Sequence, residues 1–351
     1  MTTWGESHGP AMGVVLDGCP AGIPFSEEDL QRELVRRRPG GTLYTSPRKE
    51  RDHAVILSGL WEGKTTGTPL SIMIPNEDVR PEAYAPIASL LRPGHGTYTY
   101  HQKYGHFDPR GGGRASARET VCRVAAGAFA KTLLAREGIR VLAFLSQIGP
   151  ITKDWEETPL ETLAPLTTPE GIFCPDAALR TQMEAHLTHI MAQGDSCGGA
   201  VRFLVEGLPP GLGDPVYEKL EANLAKALMG LPASKAFEMG SGREAASMQG
   251  SQHNDLFCAL SGPVTSTNHA GGTLAGISTG MPLRGEVYFK PTSSINKPQA
   301  TLALDGTSHT LTLPPGSRHD PCVAIRAVPV VEAMVAWVLA DAWLCQRMAR
   351  G

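Results

Sequence analysis

Residues 111–138, "GGGRASARETVCRVAAGAFAKTLLAREG", carry the reading of the fold. Val121, Val124, Ala125, Ala128 and Phe129 recur at helical spacing, and Gly138 stands where a helix would stop. Ahead of that helix, three glycines run straight into Arg114, Ser116, Arg118, Glu119 and Thr120. Such a stretch suits a flexible linker, a phosphate cradle, or the mouth of a site for a strongly anionic ligand.

Working outward, the same helical signature returns. "SEEDLQRELVRRR" (26–38) has Ser26 as N-cap and acids in its first turn. "DAALRTQMEAHLTHIMAQG" (176–194) has Asp176 as cap, with Leu179, Met183, Leu187 and Met191 on one face. "DPVYEKLEANLAKALMG" (214–230) places Asp214 and Pro215 at a helix start and Gly230 past its end. A fifth helix is expected from Val330 to Arg347. Strands are expected at "GVVLDG", "AVILSG", "PLSIMIP", "RVLAFLSQI", "AVRFLVEG" and "GEVYFKP". The Pro-rich stretch 152–171 reads as an insertion. With no repeat and no linker, the expected fold is α+β: a single domain over 1–351, a layered sandwich of sheet and helix.

The net charge of −3 offers nothing to nucleic acid or a membrane surface. It is unevenly spread. Residues 1–136 hold thirteen arginines and four lysines against fourteen acids, leaving the rest of the chain acidic. Arginine is the side chain whose planar fork matches carboxylate and phosphate. Seven scattered cysteines without a C-x-x-C pair fit reduced thiols and no zinc site. No apolar run of spanning length and no signal peptide is read, so a cytoplasmic location is expected.

Several motifs have two readings. "GESHG" (5–9) matches the nucleophile elbow of hydrolases, but that elbow needs a strand before the serine and a helix after it, and here strand-like sequence follows. "GLWEGKTTGT" (59–68) is one residue short of a P-loop and reads better as a hairpin. His186 and His189 lack further ligands nearby and read as exposed helix histidines. His95, His101 and His106 fall on a Gly/Tyr-rich loop, where His95 alone follows an Arg-Pro-Gly. Across these loops, "GESHG", "RRRPGG", "RPGHG", "GGGRASARET" and "SRHDP" repeatedly set Arg or His beside Gly or Ser. Together they would hold an anion without a metal, through charge-assisted hydrogen bonds.

These residues resemble the chorismate synthase family along almost the whole chain. The likeness runs in order through "GESHG", "RRRPG", "GKTTGTPLSIMI", "RPGH", "KYG", "GGGRASARETVCRVAAGA", "GDSCGGAV", "GLGDPVYEKLEA", "NHAGG", "FKPTSSI" and "RHDPCVAIRAVPVVEAM". The resemblance implies a lyase of the shikimate pathway. It would eliminate phosphate from 5-enolpyruvylshikimate 3-phosphate to give chorismate, requiring reduced FMN without net redox change. NADPH would enter only as a reductant, and the assembly would be a homotetramer.

The resemblance further implies that His8 is the acid for the leaving phosphate. His95 would manage the proton at the flavin N1/O2 edge, and Asp320 would assist flavin N5. Flavin contacts would come from Arg114, Ala115, Ser116, Ala233, Ala275, Lys290, Pro291, Thr292, Ser293, Ser294 and Arg318. Ser7, Arg37, Arg48, Arg92 and Arg118 would hold the substrate, with Arg318 a further anion clamp.

The chain departs from its relatives in four places. The resemblance implies an opening strand ahead of "TTWGESHG", whereas Met1 here is followed at once by Thr2 and Thr3; either the start given is too late or that strand is missing, and either leaves His8 less well supported. Gly96-Thr97 follows His95 where many relatives have Ala-Asp, removing a carboxylate partner. Leu43 replaces an arginine, for which Arg48 is a substitute, and Pro232 replaces a polar residue beside Ala233. Two other readings stand beside the enzyme: a non-catalytic flavin- or anion-binding remnant, and a phosphatase-type hydrolase that needs no flavin.

Overall fold

The computed structural model describes residues 1–155, 158–260, 264–314 and 319–349. Its strands are β1 (Thr2–Gly5), β2 (Ala11–Leu16), β3 (Val55–Ser58), β4 (Leu60–Trp61), β5 (Lys64–Thr65), β6 (Leu70–Pro75), β7 (Arg140–Ile148), β8 (Gly199–Glu206), β9 (Ser234–Met239), β10 (Thr273–Leu274), β11 (Ile277–Ser278), β12 (Leu283–Phe289), β13 (Gln299–Leu302) and β14 (Ser308–Leu311). Its helices are α1 (Glu27–Arg37), α2 (Thr97–Tyr104), α3 (Thr120–Ala135), α4 (Leu160–Leu163), α5 (Ala177–Ala192), α6 (Leu220–Met229), α7 (Gly250–His253) and α8 (Ala324–Gln346).

Two four-stranded antiparallel sheets form the outer layers, in the orders β1-β2-β6-β3 and β7-β8-β12-β9. Between them lie helices. α3 packs on β2 and β6, α8 on β7, β8 and β12, and the two helices pack on each other. This is the expected α+β sandwich. α3 is apolar nearly all round because it is covered on every side. An added Cβ at Gly127 would come within 2.2 Å of Ala333 Cβ, so the small residue sets the closeness of α3 and α8. The stretch Val323–Gln346 is long and apolar enough to cross a membrane, yet 83% of its apolar window is buried inside the fold, as a core helix.

Local signals placed most elements. Ser26 caps α1 with a full capping box, Asp176 caps α5, and "GLWEGKTT" forms the β4–β5 hairpin inside the wider β3–β6 pair. Five expectations need correction. "TTWG", not among the expected strands, forms one: Thr2–Gly5 pairs with Met12–Val15 of β2. α6 begins at Leu220, since the Leu220 N–H is taken by the Gly276 carbonyl at 2.8 Å and the segment before it turns back. α8 begins at Ala324, six residues early, because its first turns are buried despite Pro329. Met191 is exposed at the frayed end of α5. His101 sits in helix α2 and not in a loop.

Residues 160–163 of the Pro-rich stretch fold back so that Leu160 and Leu163 cover Leu142 and Phe144 on the outer face of β7. His186 is half-buried and His189 exposed on α5, and no group of three metal-ligating side chains occurs among the described residues.

Candidate active site

Several segments converge, among them the β1–β2 turn, the chain after α1, residues 92–96, the glycine stretch before α3, the α6–β9 turn, the segment after β12 and the start of α8. They enclose a cavity of about 350 Å³. Ser7, His8, Arg37, Arg48, Arg92, His95, Ala115, Ser116, Arg118, Ala233, Lys290 to Ser294 and Asp320 all line it. Arg114 instead lines an adjoining cavity of about 270 Å³, and its guanidinium reaches back to the Thr3 and Gly5 carbonyls, fastening β1. Ala275 sits in the β10–β11 turn with φ +53 and does not line either cavity. Arg318 lies outside the described residues. The glycine stretch is thus a site wall, not a linker, though two short 3-10 turns separate it from α3.

Charge dominates the lining. Arg37, Arg48, Arg92, Arg118, Lys290 and Arg326 face Glu50 and Asp320, with Asp52 directly behind, an excess of three positive charges. Sequence reasoning missed Glu50, Asp52 and Arg326, although the run "RKERD" (48–52) and the arginine in "RHDPCVAIR" were visible signals. Glu50 holds Arg48 at 2.6 Å, and Asp52 pairs with both Arg37 and Arg118. Burial and the charge of Arg326 push Arg37 down to about 9, so it stays cationic at neutral pH. Arg326 in turn pairs with Asp320 at 3.0 Å, while the Ser46 N–H donates to the same carboxylate at 2.8 Å.

The two histidines are aimed by their neighbours. The Arg80 N–H donates to His8 Nδ1 at 3.3 Å, and the Tyr84 ring meets the imidazole edge-on. With Nδ1 accepting, the neutral ring carries its proton on Nε2. That atom lies against Gly111, whose φ is +61 and where an added Cβ would come within 2.9 Å of Nε2. For His95, Thr97 supplies the partner that the missing carboxylate would have been. Thr97 Oγ1 accepts from Arg92 Nε at 3.3 Å and lies within hydrogen-bond distance, 3.1 Å, of His95 Nδ1. Leu43 is 85% exposed, away from the cavity, while Arg48 lines it; Pro232 lines the wall beside Ala233.

Burial, with the charges of Arg92, His319 and Lys290, pushes His95 down to about 3. An unfolded histidine titrates near ~6.5. Between these values the unfolded chain binds a proton that the native chain does not, so stability is lost as pH falls from about 6.5 toward 3. In urea unfolding between pH 5 and 6.5, His95→Gln should flatten this slope by up to about 1 kcal/mol per pH unit. An unchanged slope would mean that His95 takes up its proton in the fold as it does in the unfolded chain.

The residues fit an anionic guest. The Ser7 hydroxyl is 1% exposed and has no hydrogen-bond partner, leaving a polar atom for a ligand to satisfy. At Gly94, with φ +67, an added Cβ would meet Ser293 Oγ at 2.9 Å, so glycine lets this backbone pack closely on the 290–294 segment that lines the cavity.

Fold and cavity together are those of an enzyme-like pocket, lined by arginines and two imidazoles and suited to a small anionic molecule. A family profile for chorismate synthase matches residues 1–344. The chorismate synthase of Protochlamydia amoebophila is 55% identical, covering 100% of this chain and 96% of its own. That of Opitutus terrae is 50% identical, covering 99% and 95%. A crystal structure of chorismate synthase matches with TM-score 0.75 at 30% identity, covering 98% of this chain and 90% of that one. The chain belongs to the chorismate synthase family, the carbon–oxygen lyases of aromatic amino acid biosynthesis in the shikimate pathway.

Proposed function

We propose that this chain, acting as one domain, converts 5-enolpyruvylshikimate 3-phosphate into chorismate by anti-1,4-elimination of phosphate, with reduced FMN required and no net redox change. The observation that carries this is the excess of three positive charges around two oriented imidazoles, which suits a substrate bearing one phosphate and two carboxylates. Arg37, Arg48, Arg92 and Arg118 neutralise those anions, and Ser7 Oγ donates to one of them. His8 Nε2 faces the leaving phosphate. Proton transfer from Nε2 needs a second proton on Nδ1, which displaces the Arg80 amide and makes the ring an imidazolium beside the phosphate. His95, kept neutral by burial, presents its ring to the flavin edge. Asp320 stays oriented by Arg326 and Ser46.

Reduced FMN, when bound, supplies electron density to the breaking carbon–oxygen bond and a site for the departing C6 hydrogen. Ala115, Ser116, Ala233 and Lys290 to Ser294 would hold it, joined by the family-implied Arg114, Ala275 and Arg318. We place the protein in the cytoplasm as a homotetramer, with NADPH acting only as a reductant.

The test is anaerobic: protein, FMN, dithionite and substrate, with an unreduced control, followed by chorismate absorbance. Chorismate only with reduced flavin is the expected result. Phosphate released in air without flavin would instead favour a hydrolase. FMN binding without chorismate would favour a binding remnant.

A further inference from the structure

Asp52 is 1% exposed, yet its backbone takes φ +52, a conformation that non-glycine residues rarely adopt. The turn has a consequence: the side chain of Arg51 before it stays 81% exposed and pairs with Glu77, while the Asp52 carboxylate is driven inward. There it divides its two oxygens. Oδ2 accepts from Arg37 Nη1 at 3.3 Å, and Oδ1 accepts from Arg118 Nη1. Both guanidiniums line the cavity and Asp52 does not.

Their remaining bonds leave little freedom. Arg37 Nη2 donates to the Ala117 carbonyl at 2.8 Å and its Nε to Thr120 Oγ1 at 3.2 Å; Arg118 Nε donates to Asn76 Oδ1 at 2.9 Å. A backbone held in an unfavoured region to bridge two cavity arginines fits a device for aiming charge.

We propose that Asp52 is a positioning residue, which fixes Arg37 and Arg118 as one unit for the substrate's anionic groups without touching the substrate. This rests on the reaction proposed above. The bridge keeps two like charges side by side and turned toward the cavity, so binding the substrate requires no reordering of either side chain.

The test uses the full chain with FMN. Asp52→Gly removes the carboxylate while relieving the left-handed backbone, and Asp52→Asn keeps the shape without the charge. Either should raise KM for 5-enolpyruvylshikimate 3-phosphate by about ten- to hundredfold, the value of one charged hydrogen bond. Both kcat and FMN affinity should stay within about threefold of the parent. A parental KM in a folded variant overturns the proposal, as does failure of both variants to fold, which would make the carboxylate purely structural. A parent chain that makes no chorismate defeats the reaction itself; an active parent with unaltered variants defeats only the role of Asp52.

Discussion

Turnover of the His8→Ala variant should fall by about 10²–10⁴-fold, the range for losing a positioned general acid. FMN affinity should remain within about twofold. The split follows from the proposed roles: His8, held by the Arg80 amide and the Tyr84 ring, is assigned to the leaving group, whereas the proposed flavin contacts are residues 115–116, 233 and 290–294. Flavin titration by fluorescence quenching and single-turnover kinetics separate the two effects. A parallel loss of FMN binding would remove His8 from the leaving-group role.

The second large effect concerns stability. Glu332 on α8 is 2% exposed and accepts from Arg36 at 2.7 and 3.1 Å, from Lys131 at 2.5 Å and from the Ala143 N–H at 3.0 Å. One carboxylate thereby ties α1, α3 and β7 to the central helix. Burial alone would raise its pKa, but Lys131 and Arg36 outweigh that and hold it at about 2.

Glu332→Ala should therefore cost about 2–3 kcal/mol, since the buried Ala143 N–H loses its acceptor and Arg36 and Lys131 keep only Glu33 of the two carboxylates they share. Urea unfolding followed by tryptophan fluorescence reads this directly, and a loss below about 1 kcal/mol would show that the cations find other partners. The sign of the pH dependence follows. A carboxylate whose pKa is lowered on folding contributes stability that is fully present above about 4.3 and is lost as pH falls toward 2. The variant should lack that acid-labile part.

Both residues illustrate where sequence reading reached and where it stopped. His8 was legible because it stands in a short motif beside glycines. Glu332 was not, because an acid within "VPVVEAMVAWVLA" carries no local mark of the lysine and arginine that satisfy it, 201 and 296 residues away. The same holds for Asp52 and Arg118, 66 residues apart, and for Arg326, whose Nε donates to the Arg37 carbonyl across 289 residues. Thr97 shows the converse. Read from sequence as the loss of a carboxylate partner for His95, it stands within hydrogen-bond distance of both the imidazole and Arg92, because a hydroxyl has donor and acceptor capacity together.

By itself the sequence determined the elements whose causes are local: the capped helices α1 and α5, the β4–β5 hairpin, the apolar period of α3, and the loops in which Arg and His stand beside Gly. Capping, turn chemistry and periodicity act over a few residues, so they can be read in order along the chain. Only the tertiary structure decided that a four-residue β1 would form, that α8 would begin before Pro329, and which carboxylates would aim the cavity's arginines. Those outcomes depend on burial and on charges meeting across distant segments, where removal from water makes an ion pair or a strand edge worth satisfying.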